Sequence, residues 1–290
     1  MQRLYSPVHW RYYLILSILS LTGVSRLQAQ NNLMLRDTIV DADYYEQRGD
    51  WFKVNQWGLS LSLMRDEALS PLRYSGFGLF LNNNKYKFKP RVFVHQQWQF
   101  YSLSFTNSQS ESLLSQSSVE FVHARHQPIK SSNESLKLYV GGHVSGLLNL
   151  KLHPENVNNV LSYELAATLG PSGMVQLPIT VFGRRFILSD EVQFPLISLL
   201  GNTPYAWPLP TSFDEEGTLG DAFTVGSWGK LFRVTNQLNI DFHRRVRRRK
   251  QVVKRVAYRF SYRWQFVSVA QPNLYQSGTH SLSLARIIAL

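Results

Sequence analysis

Eleven short segments of alternating hydrophobicity, an export-type N-terminus and the lack of a second long apolar run predict an all-β chain. Together they specify a transmembrane antiparallel up-and-down β-barrel of about twelve strands, with ten as the smaller solution. An isolated segment in a bilayer must pair every backbone group, so a chain with no spanning helix crosses only as a closed barrel. Composition agrees. Aromatic residues reach 13% and charged residues only 17%, where a water-soluble domain carries about 25% charged residues.

The elements follow in order. Residues 1–29 read as a signal peptide. Arg3 and Arg11 make a basic start, Leu14 to Val24 an apolar core, and Arg26-Leu27-Gln28-Ala29 a cleavage site ending in a small residue. The apolar core is far below the roughly 20 residues of a spanning helix. The remaining residues, 30–290, read as one outer-membrane barrel domain. There is no cysteine, which excludes a lipid anchor on cysteine, disulfides and thiolate metal sites.

Trp57, Leu59, Leu61 and Leu63 oppose Gly58, Ser60 and Ser62 in the first strand. Phe77, Leu79 and Leu81 begin the next. Val92, Val94, Trp98 and Phe100 oppose His95, Gln97 and Gln99, and the phase then slips to Tyr101, Leu103 and Phe105, which predicts a bulge. Further strands are expected near 116–126, 136–152, 160–169, 173–182 and 185–197. Phe232, Val234, Leu238, Ile240 and Phe242 oppose Arg233, Thr235, Gln237, Asn239 and Asp241. Val256, Tyr258, Phe260, Tyr262, Trp264 and Phe266 form the most regular face, five of the six aromatic. The last strand runs from Gly278 to Leu290. Eleven is odd and bacterial barrels are even, so a further strand is expected, from Leu33 to Ala42 or, preferably, within 196–228. Tight connections are expected at Lys87–Pro90 and Gly170–Ser172, and loops at Asp66–Gly76 and Gly201–Asp221.

The net charge of +12 is mostly local: Arg3, Arg11 and Arg26 lie in the signal segment, and residues 30–290 would carry only about +1 without residues 243–255. Residues 243–255 hold Arg244, Arg245, Arg247, Arg248, Arg249, Lys250, Lys254 and Arg255 and no acid. Strand parity from the C-terminus makes this segment a basic periplasmic loop. Contact with anionic lipid headgroups, peptidoglycan or an acidic periplasmic partner is one reading, and a solvated, partly strand-extended turn is the other. Export excludes nucleic acid as a partner.

Face assignment puts Glu120, Lys137, Glu164, Glu191, Arg233, Asp241, Arg259 and Arg263 in the lumen, with Lys151 and Arg185. Charges of both signs there could lock a narrow bore or line a selective constriction. His123 and His126 fall on opposite faces, which disfavours a shared metal, and His95 lies on a polar face. No phosphate loop, serine elbow or zinc motif occurs, so no cofactor is expected.

His143-Val144-Ser145 places a base and a hydroxyl on one face of a strand. It resembles the His-x-Ser of the twelve-stranded outer-membrane phospholipases, which add a downstream Asn. Asn149, Asn156, Asn158 and Asn159 stand available here. That family's site lies on the lipid-facing wall, whereas Leu138, Val140, Val144, Leu148, Leu150 and Leu152 claim that wall in this chain. Leu69-Ser70-Pro71-Leu72-Arg73-Tyr74-Ser75-Gly76 is similar to an element near the start of uncharacterised outer-membrane barrel families of Bacteroidota. This resemblance implies location in a Gram-negative outer membrane and no activity. Pro71 and Gly76 can equally be turn formers.

The functional expectation is a non-enzymatic outer-membrane barrel, acting as a narrow pore or a membrane-anchored scaffold. Its expected partners are outer-membrane lipid and the barrel assembly machinery. A lipid-acting enzyme using His143 and Ser145, and a soluble periplasmic β-protein, are the alternatives.

Overall fold

The computed structural model describes residues 51–67, 70–89, 91–107, 113–131, 135–155, 160–182, 184–202, 223–227, 230–248, 251–270 and 274–289. The expected signal peptide and the segment Leu33–Ala42 lie outside them. Twelve strands are present: β1 (Trp51–Asp66), β2 (Ser70–Lys89), β3 (Val92–Thr106), β4 (Leu113–Ile129), β5 (Lys137–Leu152), β6 (Leu161–Val181), β7 (Arg184–Gln193), β8 (Ile197–Asn202), β9 (Phe223–Gly226), β10 (Leu231–Arg248), β11 (Gln251–Val269) and β12 (Tyr275–Ala289).

All pairings are antiparallel, and β1 joins β12 to close the sheet. The closed ring has ten members, β1 to β7 followed by β10, β11 and β12. The remaining two strands lie along its loop side. β6 pairs along one edge with β5 and along the other with β8 and then β7. β8 therefore prolongs β7, and β9, paired to β8, leads into β10 through the turn at Ser227–Lys230. The extra strand within 196–228 is thus present, and it extends the wall rather than widening the ring.

The register measures the barrel. Stepping across the pairs from Leu177 through Leu188, Ile240, Phe260, Leu284, Trp57, Leu81, Phe100, Val119 and Leu148 returns to β6 at Leu165. The stagger is twelve residues. With about 3.3 Å per residue and about 4.8 Å between strands, it implies a tilt of about 40° and a backbone radius of about 10 Å.

Three expectations are corrected. Residues 160–182 do not form two strands joined at Gly170–Ser172; β6 runs straight through. The break lies opposite, at Phe194–Leu196, where Phe194 N–H donates to Pro171 O and Leu196 N–H to Leu169 O. Proline, with no N–H to donate, is tolerated beside such a break. Gly170 is required there because a Cβ would run into the Phe194 carbonyl. The tight turn lies instead between Val181 and Arg184, and Phe182 in it has φ 49°.

The bulge after Phe100 is absent, since the β3 register is unbroken on both sides. Tyr101, Leu103 and Phe105 point inward and Ser102 and Ser104 outward. The apparent phase slip marks an apolar plug inside the barrel. Finally, the loop expected at Asp66–Gly76 shrinks to Glu67–Leu69, because Ser70 onward belongs to β2. Gly76 lies on the inner face, where a Cβ would strike the Phe105 ring.

The two ends differ. Both ends of the strand order, Trp51 and Ala289, lie at one rim, here the terminal rim. Two residues separate β2 from β3, β6 from β7 and β10 from β11 there, and seven separate β4 from β5. The opposite, loop rim carries the connection 203–222 and three others of five residues or more.

Outside, the wall is apolar: Trp57 is 72% exposed and Leu63 68%. Inside, Gln56, Ser60 and Ser62 are buried. This is the reverse of a soluble β-protein, whose apolar face turns inward.

Candidate functional site: struts across the lumen

The interior is layered. An apolar cluster including Met64, Tyr74, Tyr101, Phe105, Leu114 and Tyr275 fills the loop side. A second, including Phe52, Tyr86, Phe88, Phe93, Tyr139 and Ile187, fills the terminal side. Polar and charged side chains occupy the space between. Each arises from the same period-two alternation that turns Trp57 and its neighbours outward.

Glu120 on β4 is the centre of the polar layer. Its carboxylate accepts from Arg233 Nη2 of β10 at 2.5 Å and from Arg263 Nη2 of β11 at 3.3 Å. Arg263 Nη1 also donates to Gln97 Oε1 on β3 at 3.1 Å. With its amide turned so that the oxygen faces Arg233, Gln265 completes the Arg233 shell, that oxygen accepting from Nε at 3.2 Å and Nη2 at 2.9 Å. In the ring order, β3 and β4 stand diametrically opposite β10 and β11. These bonds therefore cross the whole bore.

Further charged contacts lie above and below, some across the bore and some between neighbouring strands. Towards the terminal rim, Arg259 grips Asp241 through Nε at 2.6 Å and Nη2 at 2.8 Å, and lies over the Tyr86 ring at 4.8 Å. His95 of β3 meets Glu191 of β7 at 2.9 Å and Asn84 at 2.9 Å. Towards the loop rim, Lys151 of β5 bonds Asp66 of β1, with Glu164 at 4.0 Å. Lys151 Nζ sits 3.9 Å from the Tyr275 ring centroid. Charged pairs withdrawn from water gain little over an apolar filling, but losing one partner is costly.

Glu120, Glu164, Glu191, Asp241, Lys151, Arg233, Arg259 and Arg263 are all buried inside the ring. Lys137 lies at the terminal rim, half-buried. The Arg185 side chain lies outside the described residues. Gln97 and Gln237, on the polar faces of their strands in the sequence, join the network; Asp66 also belongs to it and escapes sequence reasoning, although it shares the even-numbered face of Ser60 and Ser62. Opposite-wall partners have no signal in one sequence.

The packing leaves two small cavities. One, of about 40 Å3, lies among Tyr101, Gln116, Glu120, Asn149, Glu164 and Tyr275. The other, of about 20 Å3, lies among Tyr86, Phe93, Met174, Glu191, Asp241 and Arg259. Each is large enough to admit water, since one water needs roughly 10–15 Å3.

The His-x-Ser pair is not assembled as a catalytic dyad. Among the described residues, Ser145 Oγ shares its hydrogen bond with Thr168 Oγ1 at 2.5 Å. Asn149 donates to Glu164 at 3.2 Å rather than to His143. Both His143 and Ser145 are buried in the bore, away from the lipid wall. Asn156, Asn158 and Asn159 lie outside the described residues. His126 bonds Ser172 at 2.8 Å and His123 faces outward. Among the described residues no cluster of three or more His, Asp or Glu is placed to hold a metal.

The basic segment takes the strand-extended form, the second of its two readings, rather than an open loop. β10 and β11 stay paired through Arg245↔Arg255 and Val246↔Lys254 to Arg248↔Gln251. β7 accompanies β10 only to Phe242, and β12 accompanies β11 only from Ala257. The paired backbone thus extends past the terminal rim as a two-stranded ribbon. Arg249 and Lys250, between the strands, lie outside the described residues.

No family model matches the chain, and no curated protein matches it in sequence. Solved structures resemble it in barrel architecture alone. The translocator domain of autotransporter NalP from Neisseria meningitidis has a TM-score of 0.40 at 7% identity, covering 94% of this chain and 95% of that one. The transport unit of the autotransporter AIDA-I from Escherichia coli has 0.36 at 8% identity, covering 91% and 97%. The COG4313 outer membrane channel from Pseudomonas putida F1 has 0.33 at 7% identity, covering 87% and 100%.

Proposed function

We propose that this chain is a non-enzymatic outer-membrane β-barrel serving as a membrane-anchored scaffold with a closed lumen. The observation that carries the reading is the set of diametric struts on Glu120, between two apolar clusters inside an outwardly apolar ring. Two-residue turns at the terminal rim support a periplasmic position for that rim and an external one for the loops. Insertion by the barrel assembly machinery after export through residues 1–29, in a Gram-negative cell of Bacteroidota type, belongs to the same proposal. So does contact of the basic ribbon, Arg244 to Arg255, with an acidic periplasmic partner or lipid headgroups.

A second reading is a gated narrow pore. It is favoured by the two water-sized cavities along the bore, with the Arg263–Gln97 contact between their linings. Planar-bilayer conductance of refolded protein separates the two. A silent wild type and a silent Glu120→Gln variant support the scaffold. Discrete steps gained by the variant support the gated pore. A wild type that conducts in large steps refutes a closed lumen.

A further inference from the structure

The outer wall is not apolar all round. On the terminal-rim side of Trp57 and Trp98, the outward positions of four of the five adjacent strands β12 and β1 to β4 carry basic groups. Arg286 lies on β12, Lys53 on β1, Lys85, Lys87 and Lys89 on β2, and Arg125 on β4. Their neighbours on this wall are neutral polar groups, including Asn55, bonded to Asn83 at 2.6 Å, and Gln96 on β3. Among the described residues no carboxylate occupies an outward position on these five strands.

Two features make the arc more than a solvated rim. Lys53 and Lys85 are direct cross-strand partners, an arrangement that repels unless an anion lies between the two ammonium groups. The arc is also denser in charge than the wall facing it. Across the barrel, the outward positions towards the same rim include Val140 on β5, Val175 and Leu177 on β6, and Leu188 on β7, with Arg184 at the very end of β7. Exposed Trp57 and Trp98 sit just above the arc, the place of interfacial aromatics, and Lys87 Nζ lies 5.6 Å over the Trp51 ring. A basic row beneath interfacial tryptophans stands at the height of lipid phosphates.

We infer that the outer wall of β12 and β1 to β4 binds anionic phospholipid headgroups of the terminal-rim leaflet, with Lys53, Lys85, Arg125 and Arg286 as the phosphate contacts. The inference rests on the membrane-barrel reading and adds a lipid class and a location to it. The ligand is the phosphate-bearing headgroup layer itself, gathered on one side of the barrel. It is separate from the ribbon at Arg244 to Arg255.

The test uses the full mature chain refolded into phosphatidylcholine vesicles containing phosphatidylglycerol. Spin-labelled phosphatidylglycerol and phosphatidylcholine then report which lipid is immobilised at the protein. The expected result is about fivefold selectivity for phosphatidylglycerol, the factor one basic group supplies at an anionic surface. It should fall to near parity in a Lys53→Gln, Lys85→Gln, Arg125→Gln, Arg286→Gln variant, and persist in an Arg245→Gln, Arg255→Gln ribbon variant. A folded, heat-modifiable barrel with no selectivity overturns the lipid site and leaves the barrel standing. Selectivity kept in the arc variant but lost in the ribbon variant also overturns it. Arc-dependent binding of soluble polyglutamate without lipid selectivity replaces it with a protein partner. Failure to insert into either vesicle overturns the barrel reading itself.

Discussion

Replacing Glu120 with Gln should loosen the barrel. The single negative charge of the carboxylate is shared by two guanidinium groups that reach it from the opposite wall. With glutamine there, Arg233 retains the Gln265 oxygen at 2.9 Å and Arg263 retains Gln97 at 3.1 Å. Their hydrogen bonds partly survive, but two like charges remain buried without an anion. Removing one partner of a buried pair costs about 3–5 kcal/mol. The retained amide contacts and the adjoining 40 Å3 cavity, which admits water, place this case near the lower end, about 3 kcal/mol. Adding Arg263→Gln removes the surplus charge. The double variant should therefore regain about 1–2 kcal/mol relative to the Glu120→Gln single variant. The assay is urea unfolding of the barrel in vesicles, followed by the fraction that migrates as the compact, heat-modifiable form. A Glu120→Gln loss below about 1 kcal/mol would refute the strut reasoning. So would single-variant effects that add to within about 0.5 kcal/mol, the limit for independent sites.

Other outcomes follow from the same geometry. Lys151→Met leaves Asp66 and Glu164 without their ammonium group and should cost about 3–5 kcal/mol in the same unfolding assay. Leu59→Arg puts a charge on the exposed apolar wall and should cost about 2–4 kcal/mol, whereas an equal effect in detergent and in lipid would speak against a lipid-facing wall. Gly76→Val drives a branched side chain into the Phe105 ring and should cost about 1–3 kcal/mol. Phospholipid hydrolysis by purified protein should be indistinguishable between wild type and Ser145→Ala, because the Ser145 hydroxyl is engaged by Thr168; a Ser145-dependent rate would revive the enzyme.

How far the sequence reaches depends on the range of the interaction. Parity along one strand is local, so it assigns faces well. β11 keeps Tyr258, Phe260 and Phe266 outward and Arg259, Ser261 and Arg263 inward. The same rule misleads where the filling of the bore changes. On β3, Tyr101, Leu103 and Phe105 mimic a slip in phase because the interior becomes apolar near the loop rim. Gly170-Pro171 mimics a turn because a glycine and a proline are also what a strand needs opposite a break in its neighbour. The basic stretch mimics a loop by composition, although its backbone remains paired.

The sequence by itself determined the class of the fold, the inner and outer faces of most strands and the concentration of positive charge near residue 250. Each of these depends on residues two apart or contiguous in the chain. Only the tertiary structure decided the ring of ten, the twelve-residue stagger and the meeting of Glu120 with Arg233 and Arg263. Closure brings strands distant in sequence to opposite sides of one bore. Which side chains then touch depends on ring size and register, and both are properties of the whole sheet.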